Sequence, residues 1–319
     1  MQLQPTIFGV SGLELNEAEI ALFKQYPPLG FILFARNIEN PTQVKALTAQ
    51  MRGLFTDYQP LILIDQEGGR VARLREPHFE TPPAPQIYAD MVAQNGIEIA
   101  GKAAYEGSSK IAKTLTELGI NVNCTPMCDV RFPDSHNIIG DRAYGTEPNQ
   151  IIALSRSTAN GLLDNNVLPI IKHIPGHGRA LVDSHESLPI VKATMAELQI
   201  DFAPFKALND LPFAMTAHIL YEAIDAQNPA TLSAKAINLI RTEIGFSGLI
   251  MSDDLCMKAL GGTPDELAIK TLGAGCDIVL HCNGEFEEIQ AICKALDKNY
   301  AFDKEKINAI YKKYGITKH

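Results

Sequence analysis

No apolar run in this 319-residue chain reaches the roughly 18 to 20 residues that a membrane-crossing helix needs, because Lys, Asp, Asn or His interrupts every candidate. A membrane-spanning protein is therefore not expected. The opening segment, MQLQPTIFGVSGLELNEAEI, lacks the basic stretch, apolar run and small-residue cleavage site of an export signal, which points to the cytoplasm. Positive charge is also short. With 28 basic residues against 37 acidic ones the net charge is −9, and that average field repels a polyanion such as nucleic acid. The six cysteines, at 124, 128, 256, 276, 282 and 293, mostly sit within apolar runs such as CDIVLHC, where a free thiol packs as a small hydrophobe. Cys124 and Cys128 have one intervening residue too many for a zinc knuckle and no second cysteine pair beside them, so disulfides and structural metal are not expected. The 46% hydrophobic content supplies a large core; the length leaves one or two domains open, and since α/β barrels of about 250 residues or more run as one unit, a single domain spanning 1–319 is the expectation.

What is present is a repeated alternation. Eight short apolar runs recur: TIFGV (6–10), GFILF (30–34), LILID (61–65), INVNCTP (120–126), LPIIKH (168–173), FAMTAHI (213–219), GLIMSDD (248–254) and DIVLHC (277–282). Between them lie stretches with apolar residues at three- and four-residue spacing, including 16–23, 44–55, 97–118 and 151–163, which read as helices. Asn40-Pro41-Thr42 supplies a capping residue followed by a proline suited to a first helical turn. Strands alternating with helices predict a parallel sheet, and eight of them predict a closed (β/α)8 barrel of the TIM type.

Such a barrel carries its active site where strands end. Polar residues collect there: Asp65 closes the third run, Asp129 and Arg142 follow the fourth, Lys172 and His173 close the fifth, His218 the sixth, and Asp253 and Asp254 the seventh. A polar residue at one strand end is ordinarily a cap or turn former. The same feature at five strand ends is harder to assign to turns alone.

Three segments carry the chemistry. In KHIPGHGRALVDSHESLP (172–189), the glycines fit a tight irregular path, and Asp183 stands two residues before His185. A carboxylate that close can hold an imidazole in one tautomer and favour its protonated form, giving an acid that works near neutral pH, although an exposed turn would show the same pattern. In GLIMSDDLCM (248–257), successive side chains on a strand point to opposite sides, so Asp253 and Asp254 should differ in role; a carboxylate there could attack an anomeric carbon, bind a metal or cap a helix. In LILIDQEGGRVARLRE (61–76), Asp65 can accept hydrogen bonds from sugar hydroxyls, while Arg70 or Arg73 can donate to a ligand.

DQEGGRVARL, IGDRAYG, KHIPGHG followed by DSH, TAHI and MSDDL together resemble the family 3 glycoside hydrolases, in particular their bacterial β-N-acetylglucosaminidase branch. The motifs occur in the family's order across residues 65–257. The resemblance implies a (β/α)8 barrel with Asp253 as the nucleophile that forms a covalent glycosyl-enzyme, His185 as the acid/base and Asp183 as its orienting partner. It also implies that Asp65, Arg73, Arg142, Lys172 and His173 bind the N-acetylglucosamine unit, with no metal and no cofactor. The implied partner is a small carbohydrate, a GlcNAc-containing muropeptide fragment from cell-wall recycling, acted on by a monomer. Ile174 stands where the family more often has an aromatic residue, and Asp141 where an acid varies in length. Neither departure removes a catalytic group.

Other chemistries share these residues. Lys172 at a strand end suits a Schiff-base aldolase. His173, His177 and Asp253 could serve a metal-dependent hydrolase. A histidine acid/base tolerates an incoming phosphate, as in a glycoside phosphorylase, and a non-catalytic sugar-binding barrel would need no nucleophile.

Overall fold

The computed structural model describes residues 2–184, 186–297 and 299–316. All eight apolar runs form strands: Gln4–Gly9, Pro28–Leu33, Leu61–Ile64, Val122–Asn123, Leu168–Ile174, Phe213–Thr216, Leu249–Asp254 and Ile278–His281. They pair in parallel, each with the next along the chain, and the first closes onto the eighth through Thr6 opposite Val279 and Phe8 opposite His281. The fourth strand is shorter than its run: regular pairing covers only Val122 and Asn123, after which Cys124 and Thr125 still bond Ile64 and Ile170 of the flanking strands.

Both faces of these strands are buried, which is why the runs read as continuous apolar stretches. One cluster draws on all eight strands, with Ile7, Ile32, Leu63, Val122, Ile170, Met215, Met251 and Leu280, and fills the barrel. Alternate residues face outward: Phe8, Ile62 and Val279 pack with Val44, Leu47 and Ile292 of surrounding helices, while Ile171, Ala214 and Ile250 pack with Phe202, Phe205 and Ile240. The helix Lys304–Tyr314 contributes Ile307, Ile310 and Tyr311 to the barrel cluster, and the Phe302 N–H bonds the Leu3 carbonyl just before the first strand. The barrel is thereby closed at its N-terminal end, leaving the opposite end for the site.

The helices begin where local chemistry directs. Asn16 caps Glu17–Gln25 in a reciprocal box, its side chain accepting from the Glu19 N–H while Glu19 returns a bond to the Asn16 N–H. Asn40 caps Pro41–Gly53 with the proline at the first turn, as its sequence predicts. The helices expected around 97–118 and 151–163 run from Ile97 to Glu117 and from Pro148 to Leu163. All six cysteines are free thiols, five of them buried. No described helix is long and apolar enough to cross a membrane.

Candidate active site

The third strand delivers Asp65 to the barrel mouth and runs directly into a small antiparallel hairpin, Gln66–Gly68 with Val71–Ala72. Gln66 secures this hairpin: its side chain accepts from the Arg73 and Leu74 N–H groups at 2.8 and 3.0 Å, and Asn123 of the fourth strand brackets its backbone with two bonds of 3.0 Å. Gly68 makes the turn at φ +112°, where a Cβ would lie 2.0 Å from the Pro83 carbonyl oxygen. Glu67 is held inward by this geometry, and its carboxylate is fully buried.

Around Glu67 a largely buried cluster of charges assembles. Arg142 donates to it bidentately at 2.8 and 2.9 Å, and the Lys172 ammonium sits 2.6 Å from the same carboxylate. Lys172 also donates to Asp65 at 2.9 Å, and Arg73 contacts the other Asp65 oxygen at 3.1 Å. Burial alone would raise the Glu67 and Asp65 carboxyls. The cations outweigh it, Arg142 and Lys172 for Glu67, Lys172 and Arg73 for Asp65, and hold both below the ordinary carboxylate range. Burial would likewise lower Lys172, yet Asp65 and Glu67 hold it above the ordinary lysine range.

A second group forms on the fifth strand. Asp129 pairs with His173 Nδ1 at 2.7 Å and accepts the His177 N–H at 2.6 Å, which leaves His173 Nε2 on the cavity side. His177 Nε2 meets the Ser184 hydroxyl at 3.3 Å; burial, followed by repulsion from His173, lowers its imidazole to about 4, so it is neutral at neutral pH. His218 is held by Thr231 at 2.7 Å and by the Asp254 carbonyl at 3.0 Å.

Asp253 is the penultimate residue of the seventh strand. Its Oδ1 accepts the Asp254 N–H at 2.8 Å, while its second oxygen makes no hydrogen bond among the described residues. Burial pushes this carboxyl up, but His173, His218, the Asp254 N–H and Lys172 together push it further down, so it is ionised at neutral pH. Asp254 differs in role, as strand geometry leads one to expect: its Oδ1 accepts the N–H groups of Cys256 and Cys282 at 3.0 and 3.1 Å, tying two strand ends together. Asp65, Arg73, Arg142, Lys172, His173 and Asp253 all line one cavity of about 260 Å³.

The loop carrying Asp183 leaves this cavity along an anchored stem. Gly178 passes so close to Val130 that a Cβ would lie 1.7 Å from its carbonyl oxygen, and Arg179 bonds Asp201 at 2.7 Å while stacking on Phe132. Further along, Leu181 is 64% exposed, whereas Ser184 is buried against His177. The Asp183 carbonyl opens a tight turn by accepting the Glu186 and Ser187 N–H groups. His185 lies outside the described residues.

Comparison with known proteins fits this geometry. The model of the glycosyl hydrolase family 3 N-terminal domain matches residues 3–313. This chain belongs to glycosyl hydrolase family 3. A β-hexosaminidase of Alkalilimnicola ehrlichii is 36% identical over 302 residues, covering 93% of this chain and 85% of the relative, and one of Nitrosomonas eutropha is 35% identical over 291, covering 89% and 82%. NagZ of Neisseria gonorrhoeae superposes with a TM-score of 0.84 at 30% identity over 99% of this chain and 95% of its own; the same protein, solved in complex with N-trifluoroacetyl-D-glucosamine, superposes equally well. The family 3 chain is accordingly a glycoside hydrolase of the β-N-acetylhexosaminidase type.

Two residues that complete the site were not singled out from sequence. Glu67 stands inside the quoted DQEGG motif, and Asp129 was seen only as a strand-end acid. Their partners lie 75 and 44 residues away along the chain, so no local signal marks them as paired. The geometry also disposes of one rival chemistry. An aldolase lysine must be a free amine in a desolvated pocket, whereas Lys172 is a charged ammonium clamped between two carboxylates.

Proposed function

We propose that this family 3 hydrolase is a retaining exo-β-N-acetylglucosaminidase that releases terminal β-linked GlcNAc through a covalent glycosyl-aspartate on Asp253. Its substrate is the GlcNAc-β-1,4-anhydro-N-acetylmuramic acid unit of muropeptides, turned over in cytoplasmic cell-wall recycling by a monomer that is one barrel domain. The observation that carries the reading is an ionised Asp253 whose second oxygen has no hydrogen bond among the described residues, in a cavity lined by fixed polar groups. A volume of about 260 Å³ is small beside the roughly 300 to 1,000 Å³ of sites for drug-sized ligands, which suits one sugar ring and exo cleavage. The aminosugar analogue held by gonococcal NagZ supports the acetamido preference.

In the proposed cycle the His185 imidazolium, oriented by Asp183, protonates the leaving glycosidic oxygen while Asp253 attacks the anomeric carbon. The C1–O bond to the leaving group breaks and an ester to Asp253 forms. Water, deprotonated by His185, then attacks C1, breaks that ester and restores the carboxylate, with net retention of configuration. Retaining glycosidases ordinarily use two carboxylates about 5 to 5.5 Å apart. A histidine in place of the second avoids like-charge repulsion beside Asp253. Asp65, Arg73, Arg142, Lys172 and His173 bind the sugar: the pairs described above fix Asp65 oxygens as acceptors and His173 Nε2 as a hydroxyl partner.

Release of nitrophenol from the β-N-acetylglucosaminide, beside the β-glucoside and with or without phosphate, tests the reading. Phosphate-independent turnover of the first alone is expected. Sugar 1-phosphate appearing only with phosphate would replace hydrolysis by phosphorolysis. Cleavage of GlcNAc-anhydro-N-acetylmuramic acid, with and without its peptide, tests the substrate.

A further inference from the structure

At the edge of the sugar cavity, which Asp254 itself lines, the ends of the seventh and eighth strands bring together three side chains that the proposed hydrolysis does not need as a set. Asp254 ends the seventh strand, Cys256 follows it, and His281 ends the eighth. Among the described residues this is the one grouping of His, Cys, Asp or Glu whose donor atoms lie close enough to hold a metal, all within 4.8 Å of one another. His173, His177 and Asp253, the trio considered from sequence, form no such grouping.

We infer that Asp254, Cys256 and His281 form a binding site for one divalent cation of the zinc class, with sulfur, nitrogen and oxygen donors. Cys256 Sγ lies 3.3 Å from His281 Nδ1. Sγ also lies 3.7 Å from Nε2, so it faces the ring more than either lone pair, and binding requires the Cys256 side chain to rotate toward the about 3.6 Å from Nδ1 that tetrahedral zinc sets between a sulfur and a nitrogen. The mixed donor set selects zinc or cobalt over magnesium and calcium, which require oxygen. The Asp254 oxygen that accepts the Cys256 and Cys282 N–H groups fixes its carboxylate relative to both strands.

The surroundings match a metal ligand more closely than a solitary thiol–imidazole contact. His281 is fully buried, and its Nε2 lies 3.0 Å from Glu288, itself held by Asn283 at 2.7 Å. That carboxylate occupies Nε2 and leaves Nδ1 for a ligand, the outer-shell arrangement that orients metal-bound histidines. Three protein donors leave a fourth position open to water. Binding displaces one proton from the Cys256 thiol to solvent and converts it to thiolate, because a coordinating cation deprotonates a thiol directly.

The test is titration of the purified, reduced full-length protein with cobalt(II) and with zinc. One equivalent of cobalt should bind and give a thiolate-to-cobalt charge-transfer absorption in the near ultraviolet, which one equivalent of zinc abolishes. Cys256→Ser should lose the band and bind zinc at least tenfold more weakly while keeping its hydrolase activity without added metal; Glu288→Gln should weaken zinc binding by about tenfold. The other five cysteines serve as an internal control. A band that persists in Cys256→Ser, or the absence of stoichiometric binding to the wild-type protein, would overturn the assignment. Because the readout is absorption, its failure leaves the hydrolase reading untouched, and loss of glycosidase activity leaves the metal site untouched.

Discussion

Replacing Glu67 by glutamine keeps the shape of the side chain and removes one negative charge from a site with no access to water. Its carboxylate takes two bonds from Arg142 and lies 2.6 Å from Lys172, so the amide would turn its own NH2 toward one of these donors and leave the two cations facing each other. Breaking a buried ion pair by removing one partner costs about 3 to 5 kcal/mol. Spread over the unfolding entropy of a chain this size, that is a fall of about 4 to 7 °C in the thermal midpoint. Glu67 is held below its unfolded carboxyl value. Its stabilisation is therefore fully present above about pH 4.3 and is lost as the pH falls from there toward the folded value. Thermal midpoints of wild type and Glu67→Gln, measured from pH 7 down to about pH 2.5, should thus lie far apart down to about pH 4.3 and converge only below it. A shift under 1 °C at pH 7, or a gap that does not narrow with acid, would show that Arg142 and Lys172 are satisfied without this carboxylate. The reasoning about the cluster would then fail.

Further expectations concern the chemistry. Asp253→Ala should lower kcat by at least about 10⁴-fold while leaving the circular dichroism spectrum and thermal midpoint near wild type, and unimpaired turnover would remove the nucleophile assignment. His185→Ala should slow substrates with poor leaving groups by about 10²- to 10⁴-fold and activated aryl glycosides far less, since the latter need little protonation; equal losses on both would indicate a positioning role. Asp129→Asn removes the carboxylate from His173 Nδ1. One charge-assisted hydrogen bond of about 1.5 to 3 kcal/mol translates to a loss of about 10- to 100-fold in kcat/KM, read in steady-state assays, and an unchanged value would mean that His173 contributes nothing to sugar binding.

The elements written in local sequence were legible. All eight strands are where the apolar runs stand, since burial on both faces makes each run continuous, and Asn16 and Asn40 cap helices because capping needs only residues three positions apart. The fourth strand shows the limit of that logic: hydrophobicity continues through INVNCTP, but only Val122 and Asn123 keep regular strand pairing, while Cys124 and Thr125 bond the flanking strands outside it. Asp65, Lys172, His173 and Asp253 could be placed at the mouth from their strand-end positions, because the barrel gathers those ends together whatever the details of packing, whereas the roles of Asp183 and His185 came from the family resemblance alone. The charge states at the mouth could not be read that way. Whether Lys172 is a nucleophilic amine or a clamped ammonium depends on Asp65, 107 residues earlier, and on Glu67, whose inward direction depends on Gln66 bonding Asn123 of the neighbouring strand. The same holds for Cys256 and His281, 25 residues apart in sequence and 3.3 Å apart in space. Sequence by itself determined the strands, the caps and which side chains reach the barrel mouth, since those follow from periodicity and nearest neighbours along the chain. Only the tertiary structure decided which charges meet there, because ion pairing and desolvation depend on distances that barrel closure alone sets.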